Sequence, residues 1–194
     1  MGKLTFVLGG ARSGKSDYGE ALAQKLSDDV VFIATAQAFD DEMRRRIKHH
    51  QAHRPAHWHT IESPTNIVQS LAEKKASVVL LDCMTVLVSN LILPLGDDLS
   101  EEAAETAVQH EVNEIIEFIQ KSDDHWIIIS NEVGLSIVPE NRLARLYRDV
   151  LGRANKQMAA VANEVIFMVA GLPLVVKSDS PDKGISISEM CQSP

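Results

Sequence analysis

Residues 9–16, Gly9-Gly10-Ala11-Arg12-Ser13-Gly14-Lys15-Ser16, form a complete G-x-x-x-x-G-K-[ST] phosphate loop. The glycines let the backbone curl until several N–H groups point inward, and the positive end of the following helix adds to them. Such a loop cradles the phosphates of a nucleoside triphosphate. Lys15 would reach the outer phosphates and act in transfer, and the Ser16 hydroxyl would bind Mg²⁺. The metal needs a further carboxylate at the end of a neighbouring strand. Asp82, directly after Val78-Val79-Leu80-Leu81, has that form. Many strands end in Asp, so a solvated turn residue is the competing reading.

A second group of reactive residues follows. Five of the seven histidines, His49, His50, His53, His57 and His59, fall within eleven positions. The stretch from Asp40 to His53 reads as a helix, with acids in its first turn, bases in its last and Pro55 beyond. At about 100° per residue Met43, Ile47 and His50 share a core-facing stripe. Glu42, Arg46, His49 and His53 fall on a polar stripe beside it. Three chemistries fit that polar stripe: a metal pair at i and i+4, a solvated face without a role, and a nucleophilic imidazole. A neutral imidazole attacks phosphorus to give a covalent nucleotidyl intermediate, with Arg46, Lys48 or Arg54 available to steady the charge.

These residues need a scaffold. Five short apolar runs, Leu4–Leu8, Val30–Thr35, Val78–Leu81, Trp126–Ser130 and Val165–Val169, do not alternate with polar residues, as expected of strands covered on both faces. Helical patterns lie between them. The expected architecture is α/β, a P-loop NTPase-like three-layer fold with a mainly parallel central sheet. His57–Ile61 reads as an extra edge strand. Ser63-Pro64, Asp98 with Glu101, and Pro139 read as helix starts, the last helix carrying Leu143, Leu146, Tyr147, Val150 and Leu151 on its apolar stripe. Residues 1–177 read as a single catalytic domain, and 178–194, rich in Ser, Asp and Pro, as a flexible tail.

Composition narrows the partners. The net charge of −8 argues against a nucleic-acid footprint, and 45% apolar residues suffice for a core. Cys83 reads as a buried thiol and Cys191 lies in the polar tail, so no disulfide framework or Cys-based metal spacing is expected. There is no signal-peptide core and no apolar run of membrane-spanning length, so a cytoplasmic protein is expected.

Taken in order, the blocks at residues 9–16, Ile33-Ala34-Thr35-Ala36-Gln37, Asp40-Asp41-Glu42-Met43, His49-His50, His53-Arg54-Pro55 and Leu80-Leu81-Asp82-Cys83-Met84-Thr85 point further. So do Ser89-Asn90-Leu91, Ser130-Asn131-Glu132-Val133-Gly134, Ile137-Val138-Pro139-Glu140-Asn141 and Ala170-Gly171-Leu172-Pro173. Together they resemble the bifunctional adenosylcobinamide kinase / adenosylcobinamide-phosphate guanylyltransferase family of cobalamin biosynthesis, from about Leu4 to Lys177. The resemblance implies two reactions. ATP or GTP phosphorylates the aminopropanol hydroxyl of adenosylcobinamide, and GMP from GTP is then transferred to that phosphate. It implies a GMP-histidine at His49, in keeping with the helical wheel. It also implies a nucleotide site formed by the P-loop, Ala34, Thr35, Ala36, His50, Gln51, Ala52, His53, Glu62 and Asp82, and a homotrimer.

A guanylyltransferase lacking the kinase step and a plain P-loop small-molecule kinase are the nearer rivals. A GTP switch is disfavoured: Asp82 is followed by Cys83-Met84-Thr85 without a glycine, and Ser130-Asn131-Glu132-Val133 lacks the Lys and Asp that read guanine.

Overall fold

The non-alternating apolar runs all form strands in the computed structural model, which describes residues 2–37, 44–45, 54–71, 74 and 76–179. They are β1 (Lys3–Gly9), β2 (Val30–Ala34), β4 (Val78–Asp82), β5 (His125–Asn131) and β6 (Glu164–Val169). The weaker edge reading also holds, as β3 (His59–Glu62). A seventh strand, β7 (Leu172–Ser178), completes one sheet of order β3-β2-β4-β5-β1-β6-β7. Every pairing is parallel except β6 with β7.

The sequence reading had no β7. Its signal was present: Val169 pairs with Leu172, so Ala170-Gly171 is a two-residue hairpin loop. Both loop residues have positive φ, 50° and 84°, the conformation that matches the twist of a tight hairpin. Ser178, taken as the start of the tail, closes β7, and Asp179 N–H donates to the Asn163 carbonyl at 3.0 Å. Residues 180–194 lie outside the described residues.

Along each central strand, alternate side chains enter two different cores. Phe6, Ile33, Leu81 and Ile128 face α3 (Met84–Ile92), α4 (Glu101–Lys121) and α5 (Arg142–Val161), where Leu87, Val112, Ile115 and Leu151 meet them. Val7, Phe32, Leu80 and Ile129 face α1 (Lys15–Leu26), which contributes Ala23 and, at its margin, Tyr18 and Leu22. Each fully buried side chain of this size contributes about 1.5–3 kcal/mol relative to exposure. The three layers follow from strands with two apolar faces.

Helix starts differ from the sequence reading in detail. Ser63 does not cap a helix; its hydroxyl donates to the Thr65 carbonyl at 2.8 Å, and the short α2 (Ile67–Ser70) begins after Asn66. The donors at that end are met from another element. Glu111 of α4, 5% exposed, accepts from Asn66 N–H at 3.1 Å and Ile67 N–H at 2.7 Å. Ser100, not Asp98, caps α4, accepting from Ala103 N–H at 3.0 Å, because the 3₁₀ turn Leu93–Asp98 takes up the preceding residues. Asn141, not Pro139, caps α5, accepting from Ala144 N–H at 3.1 Å. Of the helix expected over residues 40–53, only Arg44 and Arg45 are described, and both are helical.

Glu111→Ala should lower unfolding free energy by about 1–3 kcal/mol, because it strands two backbone donors beside a buried site. Urea melts followed by circular dichroism would read that loss. An unchanged midpoint would show that Glu111 does not hold α2.

Candidate active site

Because β1 through β6 run parallel, their carboxyl ends share one edge, the edge at which open α/β sheets bind ligands. The P-loop fills the gap between Gly9, the last residue of β1, and Lys15, the first of α1. Two glycines make its shape possible. Gly14 has φ of 88°, and a Cβ on Gly9 would lie 2.7 Å from the Met168 carbonyl oxygen. Arg12 also has a positive φ, 57°, a conformation costing roughly 1–2 kcal/mol for a non-glycine residue. Neighbours hold the loop. Glu132 N–H donates to the Gly9 carbonyl at 3.0 Å, and Gly171 N–H donates to the Ser13 carbonyl at 3.1 Å.

Lys15 is 7% exposed, and its ammonium donates to the Gly10 carbonyl at 2.6 Å. Burial lowers its pKa, against the opposing influence of Cys83 and Asp82. Asp82 therefore lies within electrostatic reach of the loop lysine, as a metal-side carboxylate must. It is the last residue of β4 and partly buried. Cys83 keeps part of its residue surface exposed while its thiol is desolvated and pushed up to about 12. It is an inert thiol at neutral pH.

Register brings three of the expected residues into one row. Ala34 lies opposite Glu62 on one side and Asp82 on the other. Thr35, fully buried, locks β2 to β4: its N–H donates to the Asp82 carbonyl at 3.2 Å, its hydroxyl donates to the Cys83 carbonyl at 2.9 Å, and Cys83 N–H donates to that hydroxyl at 2.8 Å. Asn90 Nδ2 donates to the Thr35 and Pro64 carbonyls at 2.9 and 3.0 Å. Ala36 follows, half-buried. Arg54 comes back to this edge from the histidine stretch, its guanidinium 3.4 Å over the Phe32 ring. Burial lowers its pKa, opposed by Glu20, Asp82 and Glu62.

Ser16 and Asp82 offer oxygen donors. That set suits a hard cation such as Mg²⁺, which keeps waters and phosphate oxygens in most of its coordination positions. Among the described residues no group of three or more His, Cys, Asp or Glu is arranged to hold a metal. His49, His50, Gln51, Ala52 and His53 lie outside the described residues. Of the other clustered histidines, His57 stands 3.9 Å from Asp28 on the surface and His59 contacts Lys74.

A buried polar network that the sequence reading missed lies under the loop. Ser130 Oγ donates to Asn155 Oδ1 at 2.7 Å, and Asn155 Nδ2 donates to the Asn131 carbonyl at 3.0 Å. Asn131 N–H donates to Thr85 Oγ1 at 2.6 Å, and Tyr147 OH donates to the Thr85 carbonyl at 2.9 Å. Burial raises the Tyr147 pKa, so the phenol stays a donor. The network fixes the end of β5 between Asp82 and the P-loop. The available signal was polar residues, Ser130 and Asn155, inside otherwise apolar patterns.

Comparison with known proteins extends the geometry. Residues 5–176 match the family model described as "Cobinamide kinase / cobinamide phosphate guanyltransferase". The chain is 42% identical over 181 residues to the bifunctional adenosylcobalamin biosynthesis protein CobU of Escherichia coli, covering 90% of this chain and 99% of that one. It is 43% identical over 183 residues to the Salmonella typhimurium protein of the same name, with the same coverage. It is 41% identical over 178 residues to the bifunctional adenosylcobalamin biosynthesis protein CobP of Pseudomonas aeruginosa, covering 89% of this chain and 96% of that one. A KaiC-like protein of Pyrococcus horikoshii shares the fold, with a TM-score of 0.51, 10% identity, and coverage of 91% and 79%. So does an ATPase of a type III secretion system, with a TM-score of 0.56, 11% identity, and coverage of 86% and 51%. The fold is P-loop NTPase-like.

Asn155→Ala leaves the Asn131 carbonyl without its side-chain donor and the Ser130 hydroxyl with only a 3.5 Å contact to Thr85 Oγ1. It should cost about 1–3 kcal/mol of stability. Denaturant unfolding would measure it, and a loss under about 0.5 kcal/mol would contradict the role given to the network.

Proposed function

The chain belongs to the cobinamide kinase / cobinamide phosphate guanyltransferase family, and from that premise we propose how its one P-loop serves both reactions. The protein is a bifunctional transferase of adenosylcobalamin biosynthesis, a kinase and a guanylyltransferase. In the first reaction ATP or GTP seats its phosphates in the loop from Gly9 to Ser16. Lys15 neutralises charge on the outer phosphates, and Ser16 and Asp82 would hold Mg²⁺, which would supply further charge neutralisation. The hydroxyl of the aminopropanol arm of adenosylcobinamide attacks the γ-phosphorus, and a nucleoside diphosphate leaves.

In the second reaction GTP occupies the same loop. An imidazole nitrogen of His49 attacks the α-phosphorus and pyrophosphate leaves. An oxygen of the cobinamide phosphate then displaces the histidine, giving adenosyl-GDP-cobinamide. Ala34, Thr35, Ala36, His50, Gln51, Ala52, His53 and Glu62 complete the nucleotide site. We place these events in one catalytic domain, residues 1–177, of a cytoplasmic homotrimer. The observation that carries this reading is the junction of loop and acid: Lys15 and Asp82 in electrostatic reach of each other on a chain matched to the family almost throughout.

Two substitutions test it. Lys15→Ala should depress both reactions by about a hundredfold or more, since both use the triphosphate. His49→Ala should abolish guanylyl transfer and leave substantial phosphorylation. Guanylyl transfer near the wild-type rate in His49→Ala, assayed with cobinamide phosphate and GTP, would sink the histidine assignment.

A further inference from the structure

Against the outer turn of the P-loop lies a cleft of about 480 Å³, lined from the ends of β5 and β6, the two strands that flank β1. One wall is the outer turn of the loop, Gly10 to Ser13, and the other is the segment that follows β5, including Glu132 and Leu135. Phe167 lines it from β6. Among the described residues two that line it are charged, Arg12 and Glu132, so Glu132 is the sole carboxylate among them.

Glu132 is held in place. Asn131 pairs with Gly9 across β5 and β1, and the next N–H, that of Glu132, donates to the Gly9 carbonyl at 3.0 Å. Oε1 of Glu132 accepts from Gly134 N–H, and Oε2 has no partner among the described residues. A partly exposed carboxylate lining the same cleft as the loop's outer turn is placed to accept a proton from a hydroxyl entering it. Asp82 is poorly suited to that work. It lies among the cations Lys15 and Arg54 and has the metal to hold.

We propose that Glu132 is the general base of phosphoryl transfer and that the cleft beside it admits the hydroxyl-bearing arm of the acceptor. The proposal rests on the kinase reading above. The hydroxyl oxygen bonds to the γ-phosphorus as the bond from that phosphorus to the β–γ bridging oxygen breaks. The hydroxyl proton passes to Oε2 of Glu132, and the nucleoside diphosphate leaves. Guanylyl transfer has no such need. Its acceptor is a phosphate oxygen already ionised at neutral pH, and its nucleophile on the enzyme is a different residue. The two reactions should therefore separate at Glu132.

The test compares wild type, Glu132→Gln and Glu132→Ala in two assays across pH: phosphorylation of cobinamide, and guanylyl transfer to separately prepared cobinamide phosphate. General-base loss is about 10²–10⁴-fold, so Glu132→Gln should cut the kcat of phosphorylation by about a hundredfold or more. It should leave guanylyl transfer within about threefold of wild type. Added acetate should restore part of the phosphorylation in Glu132→Ala. Phosphorylation close to wild type in Glu132→Gln would overturn the proposal. So would an equal loss in both reactions with no rescue by acetate, the signature of a structural role. A wild-type protein that transfers GMP but does not phosphorylate would remove the kinase reading, and the proposal with it.

Discussion

Lys15 carries its charge where water can do little for it, and the site is arranged around that fact. An ammonium 7% exposed is disfavoured by burial, as the lowered pKa records. It persists because the Gly10 carbonyl accepts from it at 2.6 Å and Asp82 lies within electrostatic range. A triphosphate adds the negative charge that this lysine otherwise lacks. On the proposed mechanism, the same desolvation strengthens the attraction between this lysine and the phosphates.

That arrangement depends on the sheet. Lys15 follows β1 and Asp82 ends β4, with β5 between them. Their approach therefore requires parallel strands in register, with ends that do not fray. Thr35 ties β2 to β4, and the chain of Thr85, Ser130, Asn131 and Asn155 ties β5 to the helices behind it. These buried polar groups are fully paired, which is the condition under which such networks rigidify a site rather than weaken it. The carboxyl edge thus brings Glu62, Ala34, Asp82 and, just after β5, Glu132 toward the loop in strand order.

Much of this was legible in the residues. The P-loop motif, the doubly apolar strands and Asp82 each carry a local signal that needs no partner elsewhere in the chain. The family resemblance supplied the pairing of two activities, which no local pattern states. Three things escaped for physical reasons. β7 alternates half-buried and exposed residues on a sheet edge, so it lacks the continuous apolar run that marked its neighbours. The helix starts were misplaced by a few residues, because more than one start-type residue stands at each (Ser63 and Asn66, Asp98 and Ser100, Pro139 and Asn141), and geometry alone decides which begins the helix. At α2 that donor is met by Glu111, 44 positions away from Ile67 in sequence, which no local pattern reveals. The Ser130 and Asn155 contacts are likewise long-range, and a buried Ser or Asn in isolation looks the same as one facing water.

The central claim is that the loop that binds triphosphate also delivers GTP to a histidine. Incubation of the protein with Mg²⁺ and GTP labelled on the α-phosphate, without any cobinamide, tests it most directly. The account predicts label that stays on the denatured protein, is released by acid, survives alkali and is absent from His49→Ala. Intact GTP binding with no covalent label would contradict it.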